Sequence, residues 1–261
     1  MRIASRRTSS LSVGLTALAC IAGLAGGATA KTAPVGNSPC PGVRPGAHVT
    51  TSAESGGTLN FVFKGSDGKR YVGTAGHLLA DEETRTWKND GPTATLDDGT
   101  VIGRAVYASN HNGAGDDFAL IRLARGVPAD PAMCHWGGPT GLHDEVSSDP
   151  TVLRLYGNGQ GIGEAVPART MLAATMIDET EVAAFGAVAP GDSGSPVISA
   201  AGRAVGVQFS LGVMWGDDAA SDPAKANPGT VGIYRLGPQV DAAEAALGLN
   251  LELMTAPLAE V

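Results

Sequence analysis

Turn-forming residues recur so often along this sequence that long helices and coiled coils are excluded. Its 261 residues include 37 glycines and 16 prolines, about a fifth of the whole, and both residue types interrupt regular structure. Between them lie short β-prone runs: Thr58 to Lys64, Arg70 to Thr74, Val101 to Ala108, Phe118 to Leu123, Val152 to Tyr156, Arg169 to Met176, Glu181 to Phe185, Val197 to Ser199 and Ala204 to Phe209. Ser66-Asp67-Gly68, Asp97-Asp98-Gly99 and Ala201-Gly202 stand at joins and have the composition of tight turns. Many short strands without intervening helices predict an all-β barrel or sandwich. An apolar fraction of 43% is ample for a buried core. One helix is predicted over Asp241 to Leu247, made of strong helix formers after Pro238 and stopped by Gly248. The turn-rich stretch 136–150 reads as the connection between two β halves, 48–135 and 151–247, the second carrying the helix.

The first thirty residues read as a secretory signal peptide rather than as fold. Arg2, Arg6 and Arg7 precede an apolar stretch from Leu11 to Leu24, and Ala28-Thr29-Ala30 supplies a cleavage site. Residues 31–47, rich in Pro and Gly, read as an extended N-terminal arm. The formal net charge is −8; the leader holds three of the 18 basic residues and none of the 26 acidic ones, so cleavage takes it to −11. Such a surface disfavours nucleic acid and anionic membranes, whose phosphates need cationic partners. Export leaves Cys40 and Cys134 as the remaining cysteines, since Cys20 lies in the leader. One pair allows one disulfide in an oxidising compartment, with two buried thiols as the alternative.

The segment that carries chemistry is Gly191-Asp192-Ser193-Gly194-Ser195-Pro196. A serine hydroxyl attacks only when a base takes its proton, and the oxyanion it creates needs pre-aimed donors. Flanking glycines let the backbone turn sharply enough for the amides of Gly191 and Ser193 to converge. All five histidines (His48, His77, His111, His135 and His143) precede Ser193, which excludes an α/β-hydrolase, whose histidine follows its serine. The order His…Asp…Ser remains. Thr74-Ala75-Gly76-His77 ends one strand run, and Asp117-Phe118-Ala119-Leu120 opens another, with Asp116 as an alternative to Asp117.

These three motifs, in this order, resemble the histidine, aspartate and serine motifs of the chymotrypsin-like serine peptidases. The resemblance spans about 48–247, with Ser210-Leu211-Gly212 similar to the family's substrate-pairing strand and Gly232-Ile233-Tyr234 to a pocket wall. It implies two packed six-stranded antiparallel β-barrels with a C-terminal helix. It also implies Ser193 as nucleophile, His77 as general base and acid, Asp117 as the imidazole's orienter, and the Gly191 and Ser193 amides as oxyanion hole. A Cys40–Cys134 disulfide fits one known in the family. The activation site of animal members is absent, so Asp192 lacks its familiar partner, a freed N-terminus. Ala187 and Val188 fall at the floor of the primary pocket, with Gly212 and Gly232 as small wall positions and Phe209 where a glutamate-specific branch has histidine. An uncharged floor implies apolar or aromatic residues before the cleaved bond, with Phe, Tyr, Leu or Met as candidates.

The function so implied is secreted, monomeric hydrolysis of polypeptide substrates without cofactor or metal. His111, His135 and His143 lack metal-ligand spacing, and residues 178–181 read as a solvated acidic edge. A binding protein with an idle triad, or an esterase-like acyl hydrolase, are the other readings of the same scaffold.

Overall fold

The computed structural model describes residues 40–80, 85–110, 116–143, 152–160, 166–176, 179–211 and 229–259. The leader and most of the arm, His111 and Gly212 therefore lie outside the described residues. The N-terminal half holds β1 (His48–Thr51), β2 (Gly56–Thr58), β3 (Val62–Gly65), β4 (Arg70–Thr74), β5 (Arg85–Thr86), β6 (Thr93–Thr95), β7 (Val101–Asn110) and β8 (Asp117–Leu123), of which β1, β5 and β6 lie outside the predicted runs. The C-terminal half holds β9 (Val152–Tyr156), β10 (Ala168–Met176), β11 (Glu181–Phe185), β12 (Pro196–Ser199), β13 (Ala204–Ser210) and β14 (Thr230–Arg235), followed by α1 (Leu236–Leu247) and β15 (Leu251–Leu253).

β9 to β14 form a closed antiparallel barrel of six strands, in the order β10-β11-β14-β13-β12-β9. The first half is a curled sheet in the order β15-β3-β4-β8-β7-β6-β1-β2, with β5 paired to β7. β2, at one end of this path, runs nearly continuously in sequence into β3, next to the other end. The link turns a corner at Leu59–Phe61, where Asn60 N–H bonds Gly73 O and Gly73 N–H bonds Phe61 O. Counting β2 and β3 as one bent strand, six strands enclose the first core, as the double-barrel resemblance implied. β15 is an addition: the chain returns beyond the helix and pairs Leu251 to Leu253 with Gly65 to Phe63 of β3.

Both faces of β8 are buried, and each faces a different core. Ala119, Ile121 and Leu123 pack inside the first barrel with Val49, Leu59, Val62 and Ile102. Phe118 and Leu120 join Phe61, Phe63 and Tyr107 against Ile198, Val207 and Leu236 of the second half. This middle layer seats one barrel on the other. The second barrel's interior is Leu153, Leu155, Met171, Val182, Val197, Val231 and Ile233.

The helix begins at Leu236, five residues before the predicted start, and runs to Gly248 as its cap. Pro238 thus lies within the first turn, where a missing N–H costs nothing. Glu181, read as part of a solvated edge, is buried opposite Tyr234 in the β11–β14 ladder. The Cys40–Cys134 disulfide is present, with Cα atoms 5.6 Å apart, and ties the start of the described chain to the segment between the barrels.

Candidate active site

His77 sits in a single 3₁₀ turn, Gly76–Leu78, directly after β4. Gly76 is packed so closely on Ser109 O that no side chain fits there. That contact brings the turn against the start of β8, where Asp117 is buried. One Asp117 oxygen accepts from the His77 backbone N–H at 2.7 Å, and the other lies 2.6 Å from His77 Nδ1. A carboxylate acceptor fixes the proton on Nδ1 and leaves Nε2 with its lone pair free to act as base. Burial disfavours the charged ring, but the hydrogen bond and negative charge of Asp117 outweigh it and hold His77 above the ordinary imidazole value. Asp117, rather than its neighbour Asp116, thus carries the carboxylate that meets His77.

Ser193 lies in the turn between β11 and β12. Gly191 and Gly194 hold φ of +97° and +91°, which an L side chain rarely adopts. A Cβ at Gly194 would also collide with Thr58 O, Thr74 Oγ1 and Ala75 N. The serine turn therefore rests on the strand end that carries His77. Among the described residues, no hydrogen bond joins the Ser193 hydroxyl to His77. No acceptor among the described residues takes the Gly191 or Ser193 amide either.

Asp192 has a partner that the sequence did not announce. Arg169, on β10, reaches it with two nitrogens, Nη1 to Oδ2 at 2.6 Å and Nη2 to Oδ1 at 2.5 Å. Asp192 is fully buried and Arg169 nearly so. The backbone amides of Gly159 and Ala189 add bonds of 2.7 and 2.8 Å to the same carboxylate. Gly157 and Gly159 leave room for it, since a Cβ at either would overlap its oxygens. An internal arginine thus occupies the role of a charged terminus. The available signal was a lone cation inside the apolar run Arg169 to Met176.

The candidate pocket residues come together only in part. Ser210 of β13 stands opposite Gly232 of β14 after a bulge at Phe209. Ala187 is exposed, Val188 is half-buried, and Leu211 is exposed. Arg169 Nη1 also bonds Ala187 O at 3.1 Å, so one arginine holds both the Asp192 carboxylate and the Ala187 carbonyl. The Phe209 ring stacks on Tyr234 with centroids 3.8 Å apart. It lies directly over Gly232, where a Cβ would come 2.6 Å from the ring.

His135 stands beside the disulfide, its Nε2 3.9 Å from Cys40 Sγ. With both sulfurs bonded to each other, Cys40, Cys134 and His135 do not offer a metal three free ligands, although their ligand atoms lie within 4.8 Å.

The family model for Trypsin matches residues 66–230. No curated protein matches the chain. Among solved structures, it is similar to a glutamic-acid-specific serine protease described as using a histidine triad in substrate binding. That match has 17% identity and a TM-score of 0.51, over 79% of this chain and 98% of the other. It is also similar to Cellulomonas bogoriensis chymotrypsin, at 16% identity and a TM-score of 0.51, over 82% and 98%. At such identities these likenesses show the fold, a chymotrypsin-like pair of barrels. The family match covers more than half the chain, and the chain belongs to the trypsin family: it is a serine endopeptidase, a hydrolase of polypeptides.

Proposed function

We propose that this protein is a secreted endopeptidase in which Ser193 attacks the scissile carbonyl, His77 moves the proton and Asp117 orients His77. The observation that carries the reading is the pair of bonds from Asp117 to the His77 backbone and Nδ1, on a turn packed against the Ser193 loop. His77 Nε2 takes the Ser193 hydroxyl proton as Oγ bonds to the carbonyl carbon. The Gly191 and Ser193 amides receive the oxyanion. The imidazolium then gives its proton to the leaving amine as the C–N bond breaks. A water loses a proton to His77 as its oxygen bonds to the acyl carbon, and the imidazolium returns that proton to Ser193 Oγ as the acyl C–O bond breaks.

Ala187, Val188, Ser210, Leu211, Gly212 and Gly232 form the primary binding region in this reading. With an uncharged floor and the Phe209 ring along one wall, an apolar residue precedes the cleaved bond; burying an unpaired Arg or Lys there would cost several kcal/mol, on the order of a buried unpaired charge. The enzyme works as a monomer outside the cell after cleavage behind Ala30, its disulfide being suited to an oxidising compartment.

Treatment of the purified protein with a peptidyl phosphonate tests the assignment. Stoichiometric labelling located to Ser193, and lost in Ser193→Ala, supports it. An unlabelled Ser193 in folded, disulfide-intact protein removes it.

A further inference from the structure

We infer that Thr58, a residue of the N-terminal barrel, is a positioning residue that locks the oxyanion loop of the other barrel. The inference rests on the proposed role of the Gly191 and Ser193 amides and goes beyond it, because Thr58 touches neither.

The geometry follows from the peptide planes. In a trans peptide the N–H points opposite the carbonyl of the preceding residue, so holding that carbonyl aims the amide. The Gly191 amide belongs to the plane whose carbonyl is Pro190 O, held by Gln160 N–H at 2.8 Å. The Ser193 amide belongs to the plane whose carbonyl is Asp192 O, held by Ser195 N–H at 2.8 Å. Between them lies the Gly191–Asp192 plane. Its carbonyl, Gly191 O, accepts from Thr58 Oγ1 at 2.8 Å. The two outer planes are held by groups of the C-terminal half; the middle one is held on its N–H side by Ala189 O at 3.0 Å and on its carbonyl side across the barrel boundary.

Of the three carbonyls, that of the middle plane is the one held from the other barrel. Gly191 sits at φ +97° with no side chain to restrict rotation, and turning this plane swings the amides on either side away from a common point. Thr58 is fully buried, and its hydroxyl is satisfied in both senses. It donates its one proton to Gly191 O and accepts from Asn158 N–H at 3.2 Å. The same residue's N–H donates to Ser193 O at 2.8 Å. Its carbonyl accepts from Thr74 Oγ1 at 2.9 Å, three residues before His77. One threonine therefore pins both ends of the oxyanion loop to the strand that presents the general base.

The test compares Thr58→Val, which keeps the shape and removes the hydroxyl, with Thr58→Ser, which keeps the hydroxyl, and Thr58→Cys as an intermediate donor. Rates are normalised to sites titrated with phosphonate, so a smaller folded fraction does not register as lost catalysis. For Thr58→Val, kcat per titrated site falls by about 10- to 100-fold, less than the 10²–10³ of losing a donor outright. KM stays within about twofold, because a loss confined to the transition state leaves substrate binding unchanged. Affinity for a peptidyl aldehyde, whose adduct carries the oxyanion, falls in parallel. Thr58→Ser restores activity to within about threefold, and Thr58→Cys lies between the two.

Full kcat per titrated site in Thr58→Val overturns the inference, as does a Thr58→Ser enzyme no better than Thr58→Val. If Thr58→Val does not fold, the order of Ser above Cys decides, and equality of those two counts against the lock. Failure of the wild type to be labelled at Ser193 is a different result, which removes the proposed function and the inference with it.

Discussion

His77 carries two consequences of one contact. Its bond to Asp117 raises its proton affinity above the ordinary imidazole value against the opposing effect of burial. In the proposed mechanism only the neutral ring accepts the Ser193 proton, so kcat/KM is expected to rise with pH along a limb lying above that of a free imidazole. The stability effect has the opposite sign. Protonated His77 is the form the fold favours, so its contribution is complete below the unfolded-state value and is lost as pH climbs through the folded one. A pH–rate profile beside thermal unfolding from acid to neutral pH measures both. Ser193→Ala and His77→Ala each lower kcat by about 10⁴–10⁶ while leaving the protein folded, since triad members act as a unit. Asp117→Asn is nearly as severe and Asp116→Asn is mild; the reverse ranking reassigns the third member. The motifs that carry these proposed residues are local, which is why the sequence alone points to them. Arg169 was not legible in this way, because nothing within its own run marks it as the partner of a carboxylate 23 positions later.

Among the elements, the 157–160 segment and β10 show why an ion pair can stand in for a terminus. Removing Arg169 leaves the buried Asp192 charge held by two backbone amides alone, and breaking such a pair costs about 3–5 kcal/mol. Arg169→Met is therefore expected to lower the urea midpoint sharply and kcat with it. Arg169→Lys retains only part of each, since one ammonium cannot replace a two-nitrogen fork. β13 gives a second prediction, on size rather than charge. The Phe209 ring covers Gly232 and stacks on Tyr234, so in the proposed binding region it fills the space that a glycine leaves. Within the apolar set, Leu and Met before the cleaved bond should then outrank Phe and Tyr. Phe209→Val should raise kcat/KM for the aromatic residues by about tenfold relative to Leu, an effect of the size expected for steric fit in an apolar pocket. Peptide-library profiling of both enzymes reads this directly, and unchanged ranking would show that the ring lies outside the substrate's path. Although β1, β5, β6 and β14 fall outside the predicted runs, most strands were legible from their turns, because period and punctuation are local properties. The early start of α1 was not: Leu236 and Gly237 look like strand end and turn until Pro238 is seen to fall within a first helical turn. Nor was β15, whose three residues gain their identity only from β3, nearly two hundred positions away.

At the scale of the molecule, the two barrels meet through side chains whose sequence pattern gave no sign of an interface. β8 alternates two apolar sets, and a strand buried on both faces reads like any strand inside a barrel; only the fold shows that Phe118 and Leu120 face the other half. The disulfide works at this scale too. It joins residues 94 apart, bringing the chain's entry to the first barrel against its exit toward the second. Cross-linking so long a loop removes many conformations from the unfolded chain, and closures of this length contribute about 2–4 kcal/mol. Reduction should therefore lower the unfolding free energy by that amount, and the urea midpoint with it, while leaving the native contacts of Cys134 with its core cluster in place. Paired urea titrations with and without reductant measure the difference, and intact mass, higher by two hydrogens after reduction, confirms which state was unfolded. If the midpoint does not move, the unfolded chain is already held compact near these residues, and the bond's contribution must be kinetic: it would then appear as faster unfolding of the reduced protein at equal equilibrium stability.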